Sequence, residues 1–570
     1  MNFLRVLVVF FLVNQPVFAQ PILRENLSKH YRLYFDAERK KIKSEGSYYV
    51  SDKAFQYNKE EKHGKWKFYS LEGILEEERM YFRDRVHGRQ LRYHENGKIK
   101  SESYFKFNVP DSLYKEYNTL GGLIIEGQYD MGSADGYWKY YYDDGAQKSE
   151  QFIRNDTIYL LNYWDSDTVH VQTITEGEGY LVAFYTNGTV REKYTFHNGL
   201  KNGLFVEKTA NGQTAIEGNF ENGLKSGKWK FFSIEGALEK EMNFKKDTLH
   251  GNYKVFYENN LENTVGQYAF GKKTGKWQWN FPDGKIEMQG QFTEDQQHGT
   301  WIYNYPSGNI SYKANFRNGR KHGTWEYFYE AGEPFKKGDY SDDQKEEVWT
   351  TWYENGRVLI EGKFKKGKES GTWFNYWEDG MVKNQTEFKN GVLHGSWKSY
   401  TPNGILITRG KYTNGLKSGI WQDYFSNGQV MQKSGYKIVN RKHGDKAIAN
   451  TGKKQKTSEL HGKFESYSSE DFRIRSKGVY KKGLKHGTWL DFYPGGLVPM
   501  VLAQYKNGNL HGMMRRYDRR GTLLSEINFK KGRKDGWFLV FSSNGQIKIR
   551  KFYSNGVEVT KKGDKDLFSP

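Results

Sequence analysis

Histidine beside glycine is the pairing in this chain most able to do chemistry. In KHGTWEYFYEAG, residues 321 to 332, His322 precedes Gly323 and Trp325 follows two residues later. An imidazole in such a place has the chemistry of a general base or a zinc ligand. Ten of the fourteen histidines hold the same position, at His63, His87, His250, His298, His322, His394, His443, His461, His486 and His511, so a ladder of metal sites is the first arrangement to test. It fails twice. Elsewhere the position is filled by Ser226, Thr274, Ser370, Ser418, Asp135, Asn202 and Asp535, a set that asks for a short polar group bonded to local backbone. Successive histidines two strands apart would also be separated by about 9.6 Å, whereas zinc ligands lie about 2.1 Å from their ion. The histidines are expected to be structural, with no metal and no cofactor.

The element that positions them is a repeat. The glycine after the histidine recurs at Gly203, Gly227, Gly251, Gly275, Gly299, Gly323, Gly371, Gly395 and Gly419, with Glu347 in the same frame, always 24 residues apart; upstream it falls at Gly64, Gly88, Ser112 and Gly136. Within GKWQWNFPDGKIEMQGQFTEDQQH (275–298), Trp277, Trp279 and Phe281 alternate with polar residues, as do Ile286, Met288, Gly290 and Phe292. Period-two alternation is the mark of a strand with one apolar face. Pro282-Asp283-Gly284 interrupts the two runs and predicts a type I′ hairpin turn, which needs φ > 0. In some units the second aromatic shifts, as in Trp373, Tyr376 and Trp377, which predicts aromatics on both faces or a local bulge. Small residues recur mid-strand at Gly266, Gly290, Ala314, Gly338, Gly362 and Gly410, where a missing Cβ leaves room for an indole. The expected fold is all-β: tandem antiparallel hairpins of about 24 residues forming an elongated twisted sheet.

Composition agrees. The chain has 62 Gly against 10 Pro and 17% aromatics, which suits short strands and tight turns. Cysteine is absent, which excludes disulfides, thiolate metal sites and a cysteine nucleophile. The first residues, MNFLRVLVVFFLVNQPVFAQ, read as an export signal over 1–19 cleaved before Gln20. The product is expected to be periplasmic or extracellular, without a lipidated cysteine or a transmembrane segment. Export makes nucleic acid an improbable partner despite a net charge of +20.

The frame divides the chain into a capping segment (20–54), hairpin repeats (55–151), irregular repeats (152–178), regular repeats (179–436), a Lys-rich insertion (437–460), further repeats (461–558) and a tail (559–570). The irregular repeats and the insertion are expected to be bends or loops. The segments between hairpins read NGLKSG, GKKTG, NGRKHG and KGKESG, which gathers Lys225, Lys272, Lys273, Arg320, Lys321, Lys368 and Lys417 at one kind of turn. The other kind reads PDG, PSG, ENG or EDG. One basic edge and one neutral-to-acidic edge are therefore expected, and the basic one is a candidate site for anionic glycan or lipid head groups.

The segment EGKFKKGKESGTWFNYWEDG (361–380) resembles a MORN repeat. Gly362, Phe364, Gly367, Gly371 and Gly380 stand at that family's glycine and aromatic positions, while Trp373 replaces the second glycine of its G-x-G, as Trp277, Trp301 and Trp325 do elsewhere. This is similar to the MORN-repeat variant of bacterial proteins often labelled toxin–antitoxin antitoxins. The resemblance implies stacked antiparallel hairpins and an interaction role. No GxSxG, HExxH or phosphate-binding glycine loop is present. The expected function is a non-enzymatic, exported scaffold that contacts a protein or an envelope component. The alternatives are an anionic glycan or lipid binder, an antitoxin-like protein by family label, and an envelope glycan hydrolase with paired carboxylates.

Overall fold

The computed structural model describes residues 27–49, 60–165, 169–441 and 455–559. The segment expected to be an export signal lies outside these residues. The described residues form 45 strands and no helix, and successive strands pair antiparallel, except that the short Leu200–Lys201 and Arg320–Lys321 share the strand before them with the strand after. The chain divides into two units, one up to Gly251 and one from Asn252.

In the second unit the pattern is most regular. Strand Lys272–Asn280 runs into the turn Phe281–Lys285, returns as Ile286–Thr293, turns again at Glu294–Asp295 and leaves as Gln296–Asn304. The two turns differ from the expected assignment. At Pro282-Asp283-Gly284 only Gly284 has positive φ, at 86°, and its N–H donates to the Phe281 carbonyl at 2.9 Å. That is a type I turn closed by a glycine bulge. The type I′ turns are the other set, where two successive residues take positive φ: Glu294 and Asp295 at 49° and 66°, Asn318 and Gly319 at 50° and 75°. The segment that reads as a six-residue loop therefore contains only a two-residue loop, and its Lys, Ser or His residues already belong to the next strand. Phe281 and Trp377 are turn residues, which accounts for the shifted aromatics.

The core is a line of indoles on one face. Trp277 and Trp301 are 2% and 1% exposed, although no second layer of strands is present among the described residues. Each indole is roofed by its neighbours. Most lie across a strand position that has no Cβ: an added Cβ at Gly266 would sit 2.2 Å from Trp277, and one at Gly290 2.1 Å from Trp301. An aromatic two residues beyond that glycine meets it edge-on, Phe292 against Trp301 at 5.0 Å and 87°. Tyr268 meets Trp277 at 5.2 Å and 86°. The first unit repeats the arrangement with Gly127 under Trp138, Gly218 under Trp229 and Phe220 edge-on to Trp229 at 5.1 Å. The strands Leu27–Tyr34 and Ile42–Tyr49 form one more hairpin, whose Gly46 receives Trp66. The capping segment thus uses the same contact.

The frame glycine after each histidine is what tips the indole over. Pairing breaks between Gln289 and Gln291, where Gly299, Thr300 and Trp301 bulge opposite the single residue Gly290. Gly299 has φ of 68°, and Ser112 and Glu347 take 73° and 55° in the same frame. A bulge adds local twist and frees a carbonyl. The freed Gln291 carbonyl accepts the Trp301 Nε1–H at 3.2 Å, and Gln267 accepts that of Trp277 at 3.1 Å.

Two stretches depart from the frame. The Lys-rich insertion was expected to be a bend or loop, but its described flanks prolong a hairpin: Val430–Arg441 pairs with Gln455–Tyr467 out to Arg441↔Gln455. Residues 442–454 lie outside the described residues. In the irregular repeats a strand shortens to Gln172–Thr175, and Gly177 and Gly199 pass so closely that a Cβ on Gly177 would sit 2.4 Å from the Gly199 nitrogen. Residues 166–168 are not described.

Trp277→Ala is expected to cost about 3–5 kcal/mol, as aromatic truncations in cores do. Gly290→Val should cost about 1–3 kcal/mol through overpacking, and Gly290→Ala less, because Ala314 is accommodated at the equivalent position beside Trp325. Chemical denaturation of the three variants checks the ranking.

Candidate functional site

The seven basic residues proposed as an edge all lie at or next to the type I′ turns, but the strand pleat splits them between two environments. Lys272, Arg320 and Lys368 are exposed, and Lys272 pairs with Glu294 at 3.5 Å. Lys225, Lys273, Lys321 and Lys417 are half-buried and fold over the indole face. Their Nζ atoms stand 4.7, 4.7, 4.7 and 4.1 Å from the ring centres of Trp229, Trp277, Trp325 and Trp421. Each also faces the edge-on ring of the following strand, Lys273 at 5.2 Å from Phe292 and Lys321 at 5.2 Å from Tyr340. The row expected to face a ligand is thus half committed to the core. Lys62, Lys201 and Lys345 sit in the same way, and burial pushes their ammonium groups down from the usual lysine range.

The turns themselves are zipped together. The Asp295 Oδ1 accepts the backbone N–H of Lys273 at 2.7 Å, and Asp247 and Asp343 accept those of Lys225 and Lys321 at 2.7 and 2.9 Å. These aspartates escaped the sequence reading. Their signal was the second turn residue recurring 22 positions after the lysine. At the other end of the strands, an aromatic that opens several of the type I turns reaches the next unit. The hydroxyls of Tyr305, Tyr329 and Tyr353 donate to the carbonyls of Phe328, Trp352 and Tyr376 at 2.9, 2.8 and 3.0 Å. Trp377 Nε1 makes the equivalent bond to Tyr400 at 3.4 Å.

The histidine position serves the same end, in part by a different route from the one expected. Ser418 bonds nearby backbone as expected, donating to the Lys411 carbonyl at 3.4 Å, but several other side chains in this position bond the next unit's type I′ turn, some 20 residues on. The Asn414 and Lys531 N–H groups donate to Nδ1 of His394 and His511, each at 3.4 Å. Asp535 and Asn202 accept from Asn555 and Asn222 at 3.0 and 3.3 Å, and Glu346 from Lys366 at 2.8 Å. At His63, His87, His322 and His486 the buried Nδ1 has no such partner. At two of them the ring packs against aromatics instead, His63 against Phe82 at 5.3 Å and His87 stacked on Phe107 at 4.5 Å. Among the described residues no three His, Asp or Glu side chains converge as a metal set, and no helix is long and apolar enough to cross a membrane.

The face opposite the indoles carries polar rows. Cross-strand ion pairs recur there, including Lys65–Glu78 at 2.7 Å, Arg89–Glu102 at 2.7 Å, Lys228–Glu241 at 2.7 Å and Lys337–Glu326 at 2.9 Å. The cations of these pairs are about half exposed while their carboxylates are largely covered, and surface pairs contribute about 0–1 kcal/mol each. They leave this face available for contact.

Nine segments match the family model described as the MORN repeat variant: 62–82, 86–107, 273–294, 297–318, 321–342, 369–390, 393–414, 417–437 and 510–531. No curated protein matches the chain. Solved structures that resemble it include TcdB2-TccC3 without its hypervariable C-terminal region, at 9% identity and a TM-score of 0.13, covering 89% of this chain and 32% of that one. The Tc holotoxin pore of Photorhabdus luminescens follows at 10% identity and a TM-score of 0.13, with 85% and 27% covered. An alternansucrase in complex with isomaltononaose matches at 14% identity and a TM-score of 0.13, with 49% and 23% covered. The chain spans about a third of the length of the first of these.

Joint replacement of His298, His322 and His394 by Ser is expected to leave the melting temperature nearly unchanged, since Ser226 and Ser418 already fill the position. Lys273→Gln should destabilise by about 0.5–2 kcal/mol through loss of the cation–ring contact, and Lys272→Gln by less than about 0.5 kcal/mol, as expected for a surface site. Thermal melts of the three variants separate these outcomes.

Proposed function

Taking the chain as a MORN-repeat protein of the variant kind, its matched units spread from residue 62 to residue 531, we propose that it is an exported, non-enzymatic scaffold whose repeats hold a protein or an envelope component. The observation that carries this reading is the disposition of the side chains. The indole face is closed over by its own lysines and rings, with Trp229, Trp277 and Trp301 at most 2% exposed. The opposite face repeats exposed polar and charged side chains strand after strand. A chain that spends its aromatic content on holding each unit to the next, and leaves one regular face polar, is built to present that face. The apolar run before Ala19 supports export.

Anionic glycan or lipid binding along the type I′ edge is the narrower alternative. What supports it is the exposure of Lys272, Arg320 and Lys368. What weakens it is the engagement of Lys225, Lys273, Lys321 and Lys417 with indoles.

Two measurements test the scaffold reading. Fractionation of a bacterium producing the full chain with a C-terminal tag is expected to find it outside the cytoplasm, beginning at Gln20. Full-length protein retained in the cytoplasm contradicts export. Affinity capture from an envelope extract should recover a partner whose retention is unchanged by Lys272→Gln, Arg320→Gln and Lys368→Gln together. Loss of capture in that triple variant would move the contact to the edge.

A further inference from the structure

The polar face is not uniform. Over six successive strands of the second unit its charges collect with one sign. One row across these strands reads Lys398↔Arg409↔Gln422↔Lys433↔Glu465↔Lys477, each residue paired with the next in register. The adjoining row, two residues along each strand, contains Ser396↔Lys411, Ile420↔Gly435 and Lys463↔Val479. Together they hold six cations and one carboxylate.

The preceding six strands make the contrast. Their rows read Glu326↔Lys337↔Thr350↔Glu361↔Phe374↔Gln385, beside Thr324↔Asp339, Val348↔Lys363 and Thr372↔Glu387. They hold two cations against four carboxylates. Both of those cations are paired, Lys337 with Glu326 at 2.9 Å and Lys363 with Glu347 at 2.7 Å. In the basic stretch, among the described residues, Lys433 pairs with Glu465 at 3.4 Å, and the Lys463 charge also acts on that carboxylate. Arg409 bonds the neutral Gln422 at 2.6 Å, and Lys477 leans on the Phe492 ring at 5.3 Å. A surface meant only to stay soluble mixes its signs, as the preceding strands do.

The same stretch is hollowed at its middle. In the column of residues facing the bulge, Gln291, Asn315, Asp339, Lys363, Glu387 and Lys411 each project a side chain. The next member is Gly435, whose place has no room for a side chain, since a Cβ there would meet the His461 carbonyl at 2.2 Å. An open cavity of about 380 Å³ lies beside it. It is lined by Gly419, Gly435 and Gly462, by Ile420, which is 69% exposed, and by Lys433 and Lys463, with the Glu465 carboxylate paired to Lys433 also in the lining.

We propose that this face, from Lys398 to Lys477, binds an acidic polysaccharide lying across the strands, with one sugar ring over these glycines. Charge complementarity carries the choice of a polyanion. Arg409, Lys433 and Lys477 stand on alternate strands, so they are spaced by about 10 Å, the length of one disaccharide of an extended glycan. Neither row offers an exposed aromatic ring among its central members, and base stacking needs such rings, which argues against nucleic acid. Glycines beside an aliphatic side chain accept the apolar face of a pyranose, and lysines meet its carboxylates as point charges. The inference deepens the scaffold reading and rests on it for the compartment where such polymers occur.

The test is a binding titration of the full chain with polygalacturonate, with dextran as the neutral polymer, phosphatidylglycerol vesicles and a thymidine oligonucleotide as other anions. Polygalacturonate is expected to bind, to lose affinity steeply between low and physiological salt, and to be weakened at least tenfold by joint Lys411→Gln, Lys433→Gln and Lys463→Gln. Lys272→Gln, Arg320→Gln and Lys368→Gln together should leave it within twofold. Matching circular-dichroism melts of both triple variants show that the fold is kept. No binding of polygalacturonate, equal binding of dextran, tighter binding of vesicles or oligonucleotide, or an equal loss in the edge variant each overturns the proposal. If envelope capture persists while polygalacturonate fails, the scaffold reading stands and this one falls. If both fail, the scaffold reading falls with it.

Discussion

An indole laid across a strand that has no Cβ is the contact on which the rest of this protein depends. A sheet with no second layer leaves both faces to water and has no ordinary way to bury apolar surface. Here Trp301 covers Gly290, Trp277 covers Gly266, and Trp349 covers Gly338 with a clearance that even a methyl group would violate. A buried Trp removes some 150–250 Å² from water, which at about 25 cal/mol per Å² is roughly 4–6 kcal/mol for each unit. The hairpin supplies its own roof.

Other features follow from that contact. The indole must tip towards the preceding strand, so each unit carries a bulge, and the bulge needs a residue with positive φ, which explains the 24-residue glycine. The tipped ring leaves its flat side open to the type I′ edge, and a lysine closes it. That is how Lys273, Lys321 and Lys417 come to lie over indoles. Because each indole reaches into its neighbour, stability is shared between adjacent units, and the aspartate, histidine and tyrosine bonds between successive turns add to the same coupling.

Much of this was legible in the chain. The 24-residue frame, the alternation around Trp277 and Phe292, and the pairing of mid-strand glycine with Trp all carry through to the structure. The turn types were exchanged because Asp-Gly suits either geometry. What decides is the count of residues between the strands: Phe281 to Lys285 brackets three, whereas Thr293 and Gln296 bracket two. The histidines were expected to bond local backbone, but the bond His394 and His511 make spans 20 residues, and a local reading has no sight of it. The hairpin that runs on to Arg441 and Gln455 has no apolar alternation to announce it, since backbone pairing alone continues it. The surroundings of the candidate edge were hidden for a related reason. Adjacent lysines such as Lys272 and Lys273 look alike in sequence, and only the pleat sends one to solvent and the other to an indole.

The functional account turns on the two faces being unlike: one consumed in holding the units together, one left to meet a partner. The claim beneath it is that coupling between units runs through the indole face. Hydrogen exchange of the Trp301→Ala variant tests this most directly. The account predicts faster exchange in Ile286–Thr293 and Gln296–Asn304, fading within a few strands, with Val358–Lys365 as protected as in the parent protein. Unchanged protection around residue 301, or an equal loss throughout residues 252–559, would contradict it.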